Sequence, residues 1–378
     1  MGHARSLACS RPVPLGSPGS VLDVMRVVET LVVRDEADIV EGQIAYHLNA
    51  GIDFVIATDH ESRDGTTEIL ESYARQGYLH RIPVVSGKVL ETEWRTHMAR
   101  LAATDYGADW VMAADADEFW VPRRGTIKEV LAAVPTRFGI VGGVICHFVP
   151  RPDDGQLFSE RMTVRLVQHA PVNDPTSPLR PSPKSAFRGD PDVRVLHAAY
   201  WIESPRLEPL PGWCPFDVFH FPCRSLEQWA RKTARRGHAE SDKPLGQYVK
   251  GLKAQQEGRI EDVYEALVVD NETLERGIVS GSLVVDTRLR DALWSIPAAR
   301  GAENSTTEDD REESQAVAAA PAADERMAGT SVDALSLDES TIVRLLRRVD
   351  DARVRVHDLE TRPRFARARF GLGKPVGR

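Results

Sequence analysis

Trp110-Val111-Met112-Ala113-Ala114-Asp115-Ala116-Asp117-Glu118-Phe119-Trp120 is an apolar run that stops abruptly on three carboxylates. Residues 110–114 have the composition of a short buried strand. Acidic groups at the carboxyl end of such a strand lie where an open α/β sheet opens into a ligand crevice. Three like charges this close repel one another unless a cation is near. Oxygen ligands one residue apart suit a hard divalent ion, Mn²⁺ or Mg²⁺. The competing reading is a solvated acidic turn, with Phe119 and Trp120 returning to the core.

Outward from that stretch, strands and helices alternate. Val27–Val33 is a β-branched strand, and Asp38–Asn49 has helical spacing that stops at Ala50-Gly51. Phe54–Thr58 reads as a strand, Thr66–Gln76 as a helix, and Leu79–Val85 as a strand whose Pro83 predicts an edge. A helix over Glu93–Tyr106 leads into the strand before Asp115. Such alternation predicts a mostly parallel sheet flanked by helices. Thr126–Val134 (helix) and Gly139–Val149 (strand) follow.

The alternation then fades into a mixed second half. Residues 171–192 hold six prolines and read as a long loop. Short strands are predicted at Lys184–Arg188, Val193–His197 and Val218–Phe221, and a helix from Ser225. Residues 1–24 read as a disordered leader and 25–297 as the folded domain. Residues 298–331 are too poor in large apolar groups to offset the entropy of ordering and read as a linker. Residues 332–378 read as a basic, partly helical tail, with periodicity over Leu335–Leu346. From Arg344 to Arg378 there are eleven Lys/Arg against four Asp/Glu. That excess predicts either a solvated tail or a tether to an anionic membrane surface.

Composition excludes several classes. A formal charge of -8 argues against wholesale nucleic-acid binding, and no apolar run approaches the ~20 residues that span a bilayer. The four cysteines, Cys9, Cys146, Cys214 and Cys223, are scattered without a Cys-x-x-Cys pair, as in a reducing compartment. The reading is cytoplasmic, with peripheral contact at the inner face of the membrane through the tail.

The loop Asp59-His60-Glu61-Ser62-Arg63-Asp64-Gly65-Thr66 turns a strand end into a helix N-terminus, which suits a phosphate or a hydroxyl-rich ligand. Asp64 and Thr66 are equally good helix caps. His97, two residues after Arg95 on the third helix, is a donor-facing candidate, whereas His147 and His197 sit in apolar strand context and read as structural. Cys214, His220 and Cys223 make a weak zinc set without a fourth ligand.

Together these residues resemble family 2 glycosyltransferases. Asp59–Thr66 is similar to that family's Asp-x-x-Ser-x-Asp-Gly-Thr turn, and Arg34-Asp35-Glu36 to its Asn-Glu turn. Asp115-Ala116-Asp117-Glu118-Phe119 resembles its Asp-x-Asp in the Asp-x-Asp-Glu-Phe form of one bacterial branch. His220-Phe221-Pro222-Cys223-Arg224-Ser225 with Lys232 resembles the branch's His-Tyr-x-x-Arg-Ser…Lys element. The likeness spans about residues 26–240 in order, departing at Asp35 and at His60-Glu61.

The resemblance implies a GT-A fold, a Rossmann-like nucleotide-binding half joined to an acceptor-side second half. It implies Mn²⁺ or Mg²⁺, a nucleoside-diphosphate sugar donor and inversion by direct displacement onto a hydroxyl of a glycan, lipid or polysaccharide acceptor in cell-surface synthesis. Glu36 and Asp59 would contact the nucleoside. Asp115, Asp117 and His220 would serve the metal, and Asp64, His97, Lys184, Arg224 and Lys232 would complete the donor site. Glu118 is a candidate general base beside the metal, with Asp153, Asp154 and Glu160 as others. Two rivals remain. One is a phosphohydrolase of the haloacid dehalogenase type, which also places Asp-x-Asp at a strand end. The other is a non-catalytic nucleotide-sugar-binding protein.

Overall fold

The computed structural model describes residues 25–85, 90–167, 183–237 and 246–296. The chain divides into Met1–Asn304 and Ser305–Arg378. The leader at 1–24, the linker, the tail and the helix over Leu335–Leu346 lie outside the described residues.

The first half alternates as its sequence predicts. β1 (Val27–Val33) is followed by α1 (Val40–Ala50), β2 (Phe54–His60), α2 (Thr66–Arg75), β3 (Leu79–Val84), α3 (Glu91–Thr104) and β4 (Trp110–Asp115). Gly51 ends α1 in the left-handed region at φ 113°, where it returns its N–H to the His47 carbonyl. β5 (Glu118–Pro122) comes next, then α4 (Ile127–Ala132), β6 (Phe138–His147), α5 (Phe158–Arg161) and β7 (Val164–Leu166). Thr126 and Glu129 start α4 with a reciprocal capping box.

The second half holds β8 (Pro183–Arg188), β9 (Arg194–Leu196), β10 (Trp201–Glu203), β11 (Glu208–Pro209) and β12 (Phe216–His220). It closes with α6 (Leu226–Gly237), α7 (Gly246–Gln256), α8 (Ile260–Glu265), α9 (Asn271–Val279), β13 (Leu283–Val285) and α10 (Arg288–Ser295). His197 does not continue β9. It opens a left-handed turn, with φ of 50°, 55° and 68° at His197, Ala198 and Ala199.

Nine strands form one sheet in the order β3-β2-β1-β4-β8-β6-β12-β5, with β11 added beside β6. β3, β2, β1 and β4 are parallel, as are β6 and β12, while β8 and β5 run antiparallel to their neighbours. Pro83 does lie on the edge strand. Alternate residues serve opposite faces. Val27, Leu31, Met112 and Ala114 pack with Val40, Ile44 and Leu70 on one side, and Val28, Val111 and Ala113 pack with Met98, Ala99 and Ala102 on the other.

β5 carries the feature that shapes the site. It begins three residues after β4 ends, yet it occupies the opposite edge of the sheet. Three residues reach at most about 11 Å, so the sheet curls until that edge returns to β4. Trp120 fills the curl: it is fully buried, and its Nε1–H donates to the Ala113 carbonyl of β4 at 3.2 Å. The same curl is braced from α1, where His47 Nδ1 lies 3.0 Å from Glu29 and its Nε2 accepts the Trp120 N–H at 2.8 Å.

The seam where β8 meets β4 is equally tight. A Cβ on Gly189 would lie 2.0 Å from the Ala108 carbonyl oxygen, a backbone atom that cannot swing aside. Gly189→Ala is therefore expected to cost about 1–3 kcal/mol or more. An unchanged urea midpoint would refute that packing.

Candidate active site

The curl brings the carboxyl ends of β1, β2, β4 and β12 and the amino-terminal part of α6 to one place. None of the three carboxylates of the decisive stretch is left as a solvated turn. Asp117 and Glu118 are buried at 4 and 2% exposure, and Phe119 and Trp120 are buried behind them.

Their mutual repulsion is answered by cations of the chain itself. Asp115 places Oδ1 on the Arg95 guanidinium of α3 and Oδ2 on Lys184 Nζ of β8 at 2.9 Å. Lys184, with no exposed surface, also pairs with Glu118. Glu118 Oε2 in turn accepts the Asp115 N–H at 2.8 Å, closing the turn. Asp117 Oδ2 meets Lys232 Nζ of α6 at 2.5 Å, and Glu36 Oε1 stands 3.9 Å from the same ammonium.

These positions bear on two of the expected site residues. Glu118, the candidate base, lies buried beneath the turn with its Oε2 on Lys184 and the Asp115 N–H. His97 lies on the exposed side of α3, and Arg95 is the buried residue of that helix that reaches the cluster. Lys184 is likewise a buried support for two carboxylates rather than a surface cation.

The two loops beside the cluster are sewn together. Asp35 stands at φ 53°, a strained position for a residue other than glycine. Its N–H donates to Ser62 Oγ, and its Oδ1 accepts from the Arg63 N–H at 2.8 Å. Glu36 donates its N–H to Thr66 Oγ1, and Ala37 donates to Asp64 Oδ2. Asp64 Oδ1 accepts the Thr66 N–H and hydroxyl. Asp59 is buried and accepts from the Ser62 N–H, Thr67 Oγ1 and Arg81 Nε. Burial acts to raise its pKa, but those donors hold it below the ordinary carboxylate range. Asp59 and Asp64 therefore fix the loops' shape.

Arg224 has the same character. It is 1% exposed, grips Glu36, holds Asp38 at 2.6 and 2.9 Å, and donates to the Phe221 carbonyl. It locks the segment after β12 onto the segment after β1. Next to it is a narrow cleft lined by partly buried or buried charged residues, Arg34, Asp35, Glu36, Arg231, Lys232 and Arg235. Arg34, Arg231 and Arg235 were not singled out as donor contacts from sequence, where they read as part of a charged helix face and a loop.

His220 closes the site from β12. Its Nε2 lies 3.6 Å from Asp117 Oδ2. Its Nδ1 lies 2.9 Å from Nδ1 of His147 on β6. Burial, with His220 next to it, pushes the His147 imidazole down to about 3, so it is neutral at pH 7. For Asp117, burial acts to raise the pKa, but Lys232 and then His220 hold it well below the ordinary range.

A carboxylate with a depressed native pKa adds stability above its unfolded pKa, about 3.9, and loses it as pH falls through the native pKa. That contribution is intact at pH 5–7 and disappears only in stronger acid. Glu118, raised chiefly by burial, pulls the other way. Urea titrations at pH 7, 5 and 3 should show the wild type losing more stability than Asp117→Asn between pH 5 and 3. Equal losses would deny the ion pair.

Can this set hold a divalent ion? Among the described residues no group of three or more His, Cys, Asp and Glu side chains converges on one point. Asp115 has both oxygens on cations, which leaves Asp117 and His220. One carboxylate and one imidazole fit Mn²⁺ or Mg²⁺ in the way nucleotide sites do, with water and substrate phosphates completing the shell. The Cys214–His220–Cys223 zinc set is not assembled.

No curated protein sequence matches this chain. Among solved structures it is similar to S. aureus TarS at 14% identity and TM-score 0.31, covering 62% of this chain and 43% of that one. It thus spans less than half of that protein. The TarS 1–349 structure in complex with UDP aligns at 12% identity and TM-score 0.31, covering 75% and 93%. The mannosyltransferase PcManGT of Pyrobaculum calidifontis, in complex with GDP-Man and Mn²⁺, aligns at 17% identity and TM-score 0.30, covering 83% and 81%. Residues 28–138, from β1 to the first residue of β6, match the family model of Glycosyltransferase family 92, and this match supports a glycosyltransferase.

Proposed function

We propose that this protein is a metal-assisted, inverting glycosyltransferase of GT-A type. It moves a sugar from a nucleoside-diphosphate donor to a hydroxyl of a glycan, lipid or polysaccharide acceptor in cell-surface synthesis. The observation that carries this reading is the convergence of Asp117 and His220 beside a cleft rimmed by Arg34, Arg231, Lys232 and Arg235. That is a place for an anion with several charges, next to two side chains fit for a divalent ion.

In the reaction the acceptor oxygen bonds to the anomeric carbon while the bond from that carbon to the phosphate oxygen breaks. The diphosphate leaves with the electron pair. Arg34, Arg231 and Arg235 bind its oxygens, and Lys232 shares its ammonium between Asp117 and the departing charge. Asp117 and His220 would hold a divalent ion, which would supply further positive charge to the leaving group. The acceptor's proton goes to a carboxylate, for which Glu118 and, on the segment after His147, Asp153, Asp154 and Glu160 are the candidates. The buried clamp of Arg224 on Glu36 and Asp38 keeps the donor loops in place.

Turnover of a panel of nucleoside-diphosphate sugars with Mn²⁺, read as free nucleoside diphosphate, tests the proposal. Release that needs Mn²⁺ and rises with an acceptor supports it. Release of phosphate from simple phosphoesters, with no nucleotide sugar consumed, would favour the phosphohydrolase instead.

A further inference from the structure

β9 and β10 pair across the left-handed turn His197–Ala199, three successive residues with side chains in a region that favours glycine. The turn is held from both sides. Val195 donates its N–H to Thr96 Oγ1 of α3 at 3.0 Å, and Arg100 Nε of the same helix donates to the Val193 carbonyl at 2.9 Å. Beyond the turn, Ile202 is buried in the same apolar cluster as Val195, with Met98 and Ala99 of α3. The residue that leaves the turn is Tyr200, whose ring centre stands 5.8 Å from Lys184 Nζ, the ammonium that holds Asp115. β10 therefore starts beside the acidic turn of the candidate active site.

Alternation sorts the hairpin's side chains between two faces. Val195 and Ile202 take the inner face. The register sets Trp201 opposite Leu196 and Glu203 opposite Arg194, so these four share the outer one. Trp201 is 39% exposed, and Arg194 on the same face pairs with Glu203 at 2.8 Å. An open depression of about 460 Å³ is lined by Trp201, Arg194, Glu203, Asp192 and Ser204, a size that admits a small-molecule ligand.

An indole among charged groups suits a carbohydrate. A pyranose ring has a C–H face that packs on an aromatic plane, and a rim of hydroxyls that both donate and accept. Asp192 and Glu203 can accept from such hydroxyls, and Arg194 can donate to them. A bilayer or an apolar partner would instead strip water from Asp192 and Arg194, 57 and 58% exposed, without replacing its hydrogen bonds.

We propose that the outer face of the β9–β10 hairpin binds the carbohydrate of a glycan acceptor, with Trp201 as the surface on which a sugar ring stacks. Its part in the reaction rests on the proposed sugar transfer, whereas its affinity for a carbohydrate does not.

The test uses the full chain and saturation-transfer NMR with malto-, cello-, manno- and chitotetraose as probes, without any donor. At least one should receive saturation on its ring protons. Trp201→Ala should bind that sugar about tenfold or more weakly, and Trp201→Phe, which keeps a ring, should stay within a few-fold of the wild type. A wild type that binds none of the four, or a Trp201→Ala that binds as tightly as the wild type, would overturn the proposal. Equal losses in Trp201→Phe and Trp201→Ala would overturn the stacking role. The transferase reading fails separately: a wild type that binds a tetraose through Trp201 but no nucleoside diphosphate would remove the transfer and leave the carbohydrate site.

Discussion

Asp117→Asn is expected to lower sugar transfer by about 10²–10³-fold while the protein stays folded. The substitution keeps the shape of the side chain and removes its charge. Two losses combine at that position: the anionic oxygen next to His220 that suits a divalent ion, and the partner that fixes Lys232 at 2.5 Å. Lys232 is not stranded, because Glu36 Oε1 stands 3.9 Å away. The measurement is an initial rate with a turned-over nucleotide sugar, alongside far-ultraviolet dichroism to confirm the fold. A variant with unaltered kcat and an unaltered Mn²⁺ requirement would remove Asp117 from the chemistry.

Lys184→Met is expected to show the largest effect on stability. Lys184 has no exposed surface and holds Asp115 Oδ2 at 2.9 Å, while also pairing with Glu118. Its removal leaves Asp115 and Glu118 facing each other without the ammonium that pairs with both. Breaking a buried pair from one side costs about 3–5 kcal/mol. Lowering the acid charge should restore part of the loss, so Lys184→Met/Glu118→Gln should be more stable than Lys184→Met. Urea unfolding of the wild type and the single and double variants measures this. Additive losses would mean that Lys184 and Glu118 are not coupled.

The parallel half of the fold was legible because its signals are local. Gly51 stops α1, Pro83 keeps β3 at the edge, and the β-branched run of β1 needs no partner to be recognised. β5 was not legible. Phe119-Trp120 reads as a return to the core, and nothing local says that Glu118 begins an edge strand paired with β12. That pairing depends on the curl of the whole sheet.

The same limit governs the site. The residue types at 36, 59, 64, 115, 117, 184, 220, 224 and 232 mark a charged centre, but charge alone does not tell a ligand from its support. Asp59, Asp64, Arg224 and Lys184 look like ligands in sequence and are brought into holding positions by contacts 20 to 190 residues away. His147 looks structural and turns out to touch the centre through His220, and Arg95, not itself read as a candidate, reaches it through Asp115.

Calorimetric titration with uridine, guanosine and thymidine diphosphates, each with and without Mn²⁺, goes most directly to the claim that Asp117 and His220 present a cation to a diphosphate beside the arginine-lined cleft. The account predicts saturable binding of at least one of the three, tighter with Mn²⁺ and weakened in Asp117→Asn. Heats indistinguishable from dilution for all three, with Mn²⁺ present, would contradict it.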